Sequence, residues 1–314
     1  MSATAKSVAL FDRLPSVRGV YRADYPLSRI TWFKVGGPAD VLFRPADTED
    51  LAAFLSACPR DIQVTVLGVG SNVLVRDGGI RGVVIRLGRG FTDVAVRDTR
   101  IEAGGGALDI NIARVAAQHG LAGLEFLSGI PGTIGGAVRM NAGAYNGDLG
   151  GVLDSVTMLD RTGQSTTIAS EDLTFSYRQS RLPAQAIVVA CRLVGVLGEV
   201  APIHRRMAEI KQAREATQPV RSRTGGSTFR NPGGPGSDAP RAWQLIDAAG
   251  CRGLRRGGAM ISPVHCNFLE NVGEASAADL EALGNEVRQR VADHSGILLQ
   301  WEIERIGEPS GGAP

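Results

Sequence analysis

The stretch from Gly123 to Gly147, GLEFLSGIPGTIGGAVRMNAGAYNG, constrains this chain more than any other. Glycine stands at 123, 129, 132, 135, 136, 143 and 147, with scarcely a charged side chain between them. Glycine weakens the interiors of helices and strands alike, so such a density calls for close approach to bare backbone. Leu127, Ile130, Ile134, Val138 and Met140 fill the intervals with apolar side chains that a solvated loop lacks. Amides exposed in turns of this kind form anion-binding nests, which points to a flat, phosphorylated ligand lying on the backbone. Tight surface turns are the plain alternative. The familiar phosphate loops do not fit. The run GIPGTIGG at 129–136 lacks the GK[ST] of a P-loop, and Gly68-Val69-Gly70-Ser71-Asn72-Val73 completes no G-x-G-x-x-G.

A length of 314 residues is comfortable for two or three domains. The net charge of +2 and pI near 8.4 exclude general polyanion binding. No run of apolar residues is long enough to span a membrane, and MSATAKSVALFDRLP lacks the apolar core of a signal peptide. Cys58, Cys191, Cys251 and Cys266 form no C-x-x-C pair, so a reduced, cytoplasmic protein is expected. His119, His204, His265 and His294 are scattered, and no metal site is expected; His265 beside Cys266 reads as structural.

Along the chain, residues 1–27 read as a loosely attached arm. Extended chain over 30–43 breaks at Gly36-Gly37-Pro38. A helix opens at Thr48-Glu49-Asp50, with acids in its first turn. Short strands follow at 64–67, 83–87 and 100–103, then a helix from Asp109 to Gln118 that stops near Gly120. Strands at 155–159 and 165–168 flank Asp160-Arg161-Thr162-Gly163, a hairpin signal, and 187–194 reads as a buried strand. Helices are expected over 202–218 and 241–249, separated by a Gly-, Ser- and Pro-rich loop at 222–238. In the helix 276–294, Leu280, Leu283, Val287 and Val291 form one apolar face, and 297–306 reads as a closing strand. The fold class is α+β. The expected divisions are an arm (1–27), a domain at 28–199 in two lobes split near 90, a smaller α+β domain at 200–296, and a C-terminal strand and tail at 297–314.

Three more stretches join the glycine-rich one: Phe175-Ser176-Tyr177-Arg178-Gln179-Ser180, Gly225-Gly226-Ser227-Thr228-Phe229-Arg230-Asn231-Pro232, and the tail around Glu302. With Leu67–Asn72 and Gly132–Ala137 they are five spaced motifs in one order, and from about Thr31 to Gly307 the chain resembles the UDP-N-acetylenolpyruvoylglucosamine reductases. The resemblance implies an FAD-binding domain of the vanillyl-alcohol-oxidase type with a smaller substrate-binding domain. It implies noncovalent FAD, NADPH as hydride donor, and a UDP-sugar enol ether as acceptor, in peptidoglycan precursor synthesis. Small-molecule substrates are the partners expected, with neither nucleic acid nor membrane.

On that resemblance Gly68, Val69, Gly70, Ser71 and Asn72, with Ser128, Gly129, Thr133, Gly135 and Gly136, hold the FAD from loops that follow or join strands. Hydride added at C3 of the enolpyruvyl group leaves negative charge at C2 and in the adjacent carboxylate. Arg178 matches the arginine that faces this charge, Ser227 the acid that protonates C2, and Glu302 the C-terminal glutamate that polarises the carboxylate or relays a proton. Glu304 is the competing glutamate, with poorer spacing to Ile306-Gly307. Tyr177, Arg214 and Asn231 are matched to the nucleotide diphosphate. Singly, each of these reads more readily as a surface or turn residue.

Thr217-Gln218-Pro219 stands where the family often has Lys-x-Pro, leaving Arg214, Arg221 or Arg223 to replace that lysine. Leu299-Gln300-Trp301-Glu302 stands where L-E-P-E is common. The short interval from Arg178 to Ser227 matches a subclass without the tyrosine-bearing insertion that covers the substrate. Two other readings are open: an FAD oxidoreductase of the same fold acting on an alcohol or hydroxy acid, and a nucleic-acid module built on Arg252, Arg255 and Arg256. The near-neutral charge and the absence of interleaved aromatics argue against the latter.

Overall fold

Local chemistry sets most of the elements. Asp47 caps the helix Thr48–Ala57 by accepting from the Asp50 N–H at 2.9 Å, satisfying one of the free donors of its first turn. Ser276 and Asp279 form a reciprocal capping box on the helix Ala277–Ser295, which ends at Gly296 with φ of 73°. The computed structural model describes residues 10–234 and 237–311. They fall into two compact units, each discontinuous in sequence: 10–23, 41–68 and 82–214 in the first, 24–40, 69–81, 215–234 and 237–311 in the second.

In the first unit an antiparallel five-stranded sheet runs in the order Ser165–Ala169, Leu153–Leu159, Ile187–Val194, Arg100–Gly104, Val94–Arg97. The apolar strand Ile187–Val194 is central, as its hydrophobicity predicts, and the Asp160–Gly163 turn closes a hairpin. One core gathers Ile101, Ile112, Leu127, Ile134 and Val156 beneath this sheet; a second gathers Val41, Phe43, Phe54 and Val83. A four-stranded sheet has the order Val20–Pro26, Pro38–Arg44, Ile80–Ile85, Val64–Val66. The arm reading therefore fails for residues 20–26, which form an edge strand, and Tyr21 packs 4.9 Å from Phe43. Residues 1–9 of that arm lie outside the described residues.

In the second unit the sheet order is Arg223–Ser227, Phe268–Asn271, Ala259–Ile261, Arg255–Arg256. It packs with Phe33, Leu74 and Phe229 against the Leu280, Leu283, Val287 and Val291 stripe. Three expectations are corrected here. Residues 31–35 turn rather than extend, because the Thr31 hydroxyl donates to the Val35 carbonyl at 2.8 Å. The glycine-rich 222–238 segment contains the strand Arg223–Ser227, paired with Phe268–Asn271; residues 235–236 lie outside the described residues. The tail is a strand only at Glu304–Ile306, parallel to Val73–Val75, since buried Leu299 and Ile303 pin the preceding chain irregularly. Residues 312–314 lie outside the described residues.

Candidate active site

In the first unit the segment read as a cradle of loops is more regular than its composition suggests. A 3-10 helix covers Glu125–Gly129, and an α-helix covers Ile134–Arg139. The N–H groups of Gly132, Ile134 and Gly135 already donate to the carbonyls of Ile130, Ala107 and Gly105 at 3.1, 2.9 and 2.9 Å. Ser128 donates its hydroxyl to the Glu125 carbonyl at 2.7 Å. Most of the glycines answer to the protein's own packing. A Cβ on Gly68 would come within 2.7 Å of Thr133 Oγ1, on Gly129 within 2.8 Å of the Tyr145 ring, and on Gly135 within 2.8 Å of the Gly105 carbonyl. Gly136 differs: a Cβ there would meet only Thr133 Oγ1, at 3.8 Å. The protein's own packing therefore does not account for that glycine.

Tyr177 and Arg178 are the two central residues of a tight hairpin between Phe175–Ser176 and Gln179–Ser180. Arg178 takes φ of 56°, a left-handed backbone conformation that costs a non-glycine residue energy and concentrates at functional sites. Its guanidinium lies 5.3 Å over the Tyr177 ring. The hairpin is braced by Asn141, whose Nδ2 donates to the Ser176 carbonyl at 3.0 Å, and by the Ser180 hydroxyl, which donates to the Arg139 carbonyl at 2.6 Å. Arg214, near the end of the helix Val200–Thr217, interacts with Tyr145. Burial lowers the Arg214 pKa and raises that of Tyr145, while each partner's field acts against its burial. Tyr145 also takes a positive φ, of 50°. Nothing in the sequence reading singled it out; its signal is an aromatic inside a glycine-rich run.

In the second unit three remote segments converge. The Glu302 N–H donates to the Thr228 carbonyl at 2.8 Å, and Asn72 Nδ2 donates to the Glu302 carbonyl at 3.1 Å. Ser227 follows an irregularity in the pairing of Arg223–Ser227 with Phe268–Asn271. Gly226 there takes φ of 80°, and a Cβ on Gly225 would strike the Phe33 ring. Bulges of this sort re-aim the next side chain, which is why two glycines precede the serine. Asn267 secures the turn beyond it, accepting from the Phe229 N–H at 2.9 Å and donating to the Phe229 carbonyl at 2.8 Å. Glu302 is half-buried whereas Glu304 is exposed, which separates the two glutamates that spacing alone had ranked. Gly70, with φ of 69°, sits against the Ile30 carbonyl, and its own carbonyl accepts from the Trp32 N–H at 3.0 Å. Val69, Ser71 and Asn72 complete that loop before Val73–Val75. Asn231 accepts from the Ala242 N–H at 3.0 Å, opening the helix Ala242–Ala248. Arg252 is held by Asp247 through two bonds of 2.9 Å, so it is not the head of a free basic cluster.

Residues 39–169 match the family model described as FAD binding domain, and residues 218–306 match UDP-N-acetylenolpyruvoylglucosamine reductase, C-terminal domain. A UDP-N-acetylenolpyruvoylglucosamine reductase of Parvibaculum lavamentivorans is 54% identical over 315 residues, covering 100% of both chains. That of Rhodospirillum rubrum is 57% identical over 98% of this chain and 96% of its own. The crystal structure of the Thermus caldophilus enzyme of that name superposes with a TM-score of 0.78 at 37% identity, over 92% of this chain and 99% of that one. An FAD-binding domain joined to that C-terminal domain defines an FAD-binding oxidoreductase. The chain belongs to the UDP-N-acetylenolpyruvoylglucosamine reductase family.

Proposed function

We propose that this protein reduces UDP-N-acetylglucosamine enolpyruvate to UDP-N-acetylmuramate in the cytoplasm, with NADPH as hydride donor and FAD as carrier. It thereby supplies peptidoglycan precursors for cell-wall growth, cell shape and division. The observation that carries this reading is the convergence of Asn72, Ser227-Thr228 and Glu302 in one unit of a chain that belongs to the reductase family. Open backbone at Gly136, and a segment 129–136 without a charged side chain, fit a noncovalent flavin nucleotide.

Gly68–Asn72 and Ser128–Gly136 would hold the FAD, which when bound supplies the hydride that reaches C3 of the enolpyruvyl group. Arg178 binds and orients the substrate carboxylate and opposes the negative charge that grows there; away from water this attraction counts for more. Its left-handed backbone supports that role. Ser227 delivers the proton to C2. A hydroxyl is a weak acid, and it serves here because the position it protonates becomes strongly basic during the reaction. Glu302 polarises the same carboxylate or relays a proton, and its main-chain bond to Thr228 holds it beside the Ser227 segment. Tyr177, Arg214 and Asn231 bind the nucleotide end, and Arg214, Arg221 or Arg223 stands in for the lysine that Thr217 replaces.

Ser227→Ala separates these roles. The variant is expected to keep NADPH-driven bleaching of the flavin near the wild-type rate and to lose enol-ether turnover by about 100-fold or more in a stopped-flow assay, the range of a lost general acid. Turnover within a few-fold of wild type would remove Ser227 from the mechanism.

A further inference from the structure

One buried acid has no part in the chemistry above. Asp109 opens the helix Asp109–Gln118, is 0% exposed, and leaves both carboxyl oxygens without a hydrogen-bond partner. It is clamped to the underside of the glycine-rich segment. Its N–H donates to the Gly132 carbonyl at 3.2 Å, and its Oδ2 lies 2.7 Å from the point where a Cβ on Gly132 would stand. Leu108, one residue earlier, bridges to Thr133. Native chains keep few unsatisfied buried polar groups, and those they keep collect where function overrides stability.

The surroundings of Asp109 offer its carboxylate no compensation. Cys191, on the strand Ile187–Val194, is the titratable group that faces it, and as an anion it would only add repulsion. Arg114 on its own helix donates to Asn111 Oδ1 at 3.2 Å, and Arg139, on the helix Ile134–Arg139, donates to the Pro183 carbonyl at 2.9 Å. Glu125 accepts from the Gly123 N–H at 2.8 Å, and Glu102 pairs with Arg192 at 3.1 Å. Residues 130–133 carry no charge. Burial accordingly pushes the Asp109 carboxyl well above the ordinary carboxylate range.

We infer that Asp109 is a positioning residue whose buried, unpartnered carboxyl beneath Gly132 sets the backbone of residues 130–133 for the FAD phosphates without adding repulsion to them. This rests on the reading of Ser128–Gly136 as an FAD-holding segment.

The test compares the apoprotein with its Asp109→Asn variant, an uncharged isostere. Each is titrated with FAD and with riboflavin, which lacks phosphate. The two proteins are expected to bind FAD within about threefold of each other near pH 6. The ratio of wild-type to variant Kd should then climb by about tenfold as the pH is raised until Asp109 ionises, followed by loss of its infrared band, with no such climb for riboflavin. FAD binding with a flat ratio, or an equal climb for riboflavin, overturns the inference alone. Wild-type apoprotein that binds FAD at no pH overturns it together with the functional reading. An infrared measurement on the wild type stands if the variant does not fold. Asp47, Asp61, Asp160, Asp247, Asp279 and Glu281 are each held below the ordinary carboxylate range by their hydrogen bonds. A protonated-carboxyl stretching band at neutral pH is therefore expected from Asp109, and its absence overturns the inference.

Discussion

Glu281 shows what a single side chain holds together in the second unit. Arg76 grips it through two hydrogen bonds of 2.8 and 2.9 Å, and Arg305 adds another at 3.1 Å. The Arg76 hydrogen bond is the main cause that keeps the Glu281 carboxyl below its usual range, against a smaller opposing push from burial. With a folded-state pKa below the unfolded value of about 4.3, the group contributes stability that is complete above about pH 4.3 and is lost as the pH falls through the folded value. Glu281→Gln is therefore expected to lower unfolding free energy by about 2 kcal/mol at neutral pH, since it leaves two arginines short of a charged partner. That deficit should vanish near pH 2. Urea unfolding at both pH values checks this, and a deficit of equal size at both would contradict the ion-pair explanation. Residue types of this kind are visible in a sequence, but their partners are not. Arg76 and Glu281 lie 205 positions apart and carry no motif.

At the scale of elements, legibility followed local signals. The helix Asp109–Gln118 and the strand Ile187–Val194 were readable to the residue, because caps, apolar runs and stop glycines lie within a few positions of what they govern. The strand Arg223–Ser227 was not, since glycines that build its irregular pairing imitate a loop. The glycine-rich segment looks, from its local pattern, like open backbone or tight turns. In the folded chain Gly68, Gly129, Gly132 and Gly135 are demanded by Thr133, Tyr145, Asp109 and Gly105, contacts that no local pattern reports. Gly136 is the informative position. It lies in the helix Ile134–Arg139 with room for a methyl group, so Gly136→Ala is expected to leave apoprotein stability unchanged or raise it by up to about 1 kcal/mol. FAD affinity should nonetheless fall by about tenfold or more, if the cofactor lies against that backbone. Thermal unfolding of the apoprotein alongside an FAD titration reads both; intact affinity would mean that nothing packs on Gly136.

For the whole molecule, compactness does not follow the order of the chain. Residues 24–40 and 69–81 belong with 215–234 and 237–311, and Val73–Val75 pairs in parallel with Glu304–Ile306. A sequence read from left to right divides near residue 200 and has no means of seeing such pairings, which depend on closure of very long loops. Family membership was readable because spaced short motifs keep their order whatever the path between them, and whole-length relatives bear it out. What those motifs imply about chemistry is tested most directly by an anaerobic visible spectrum of the purified protein. Flavin absorption bands are expected to be present, to bleach on addition of NADPH, and to return on addition of UDP-N-acetylglucosamine enolpyruvate with oxygen excluded. A folded, colourless protein that takes up no added FAD, or a reduced flavin that the enol ether fails to reoxidise, would contradict the proposed reaction.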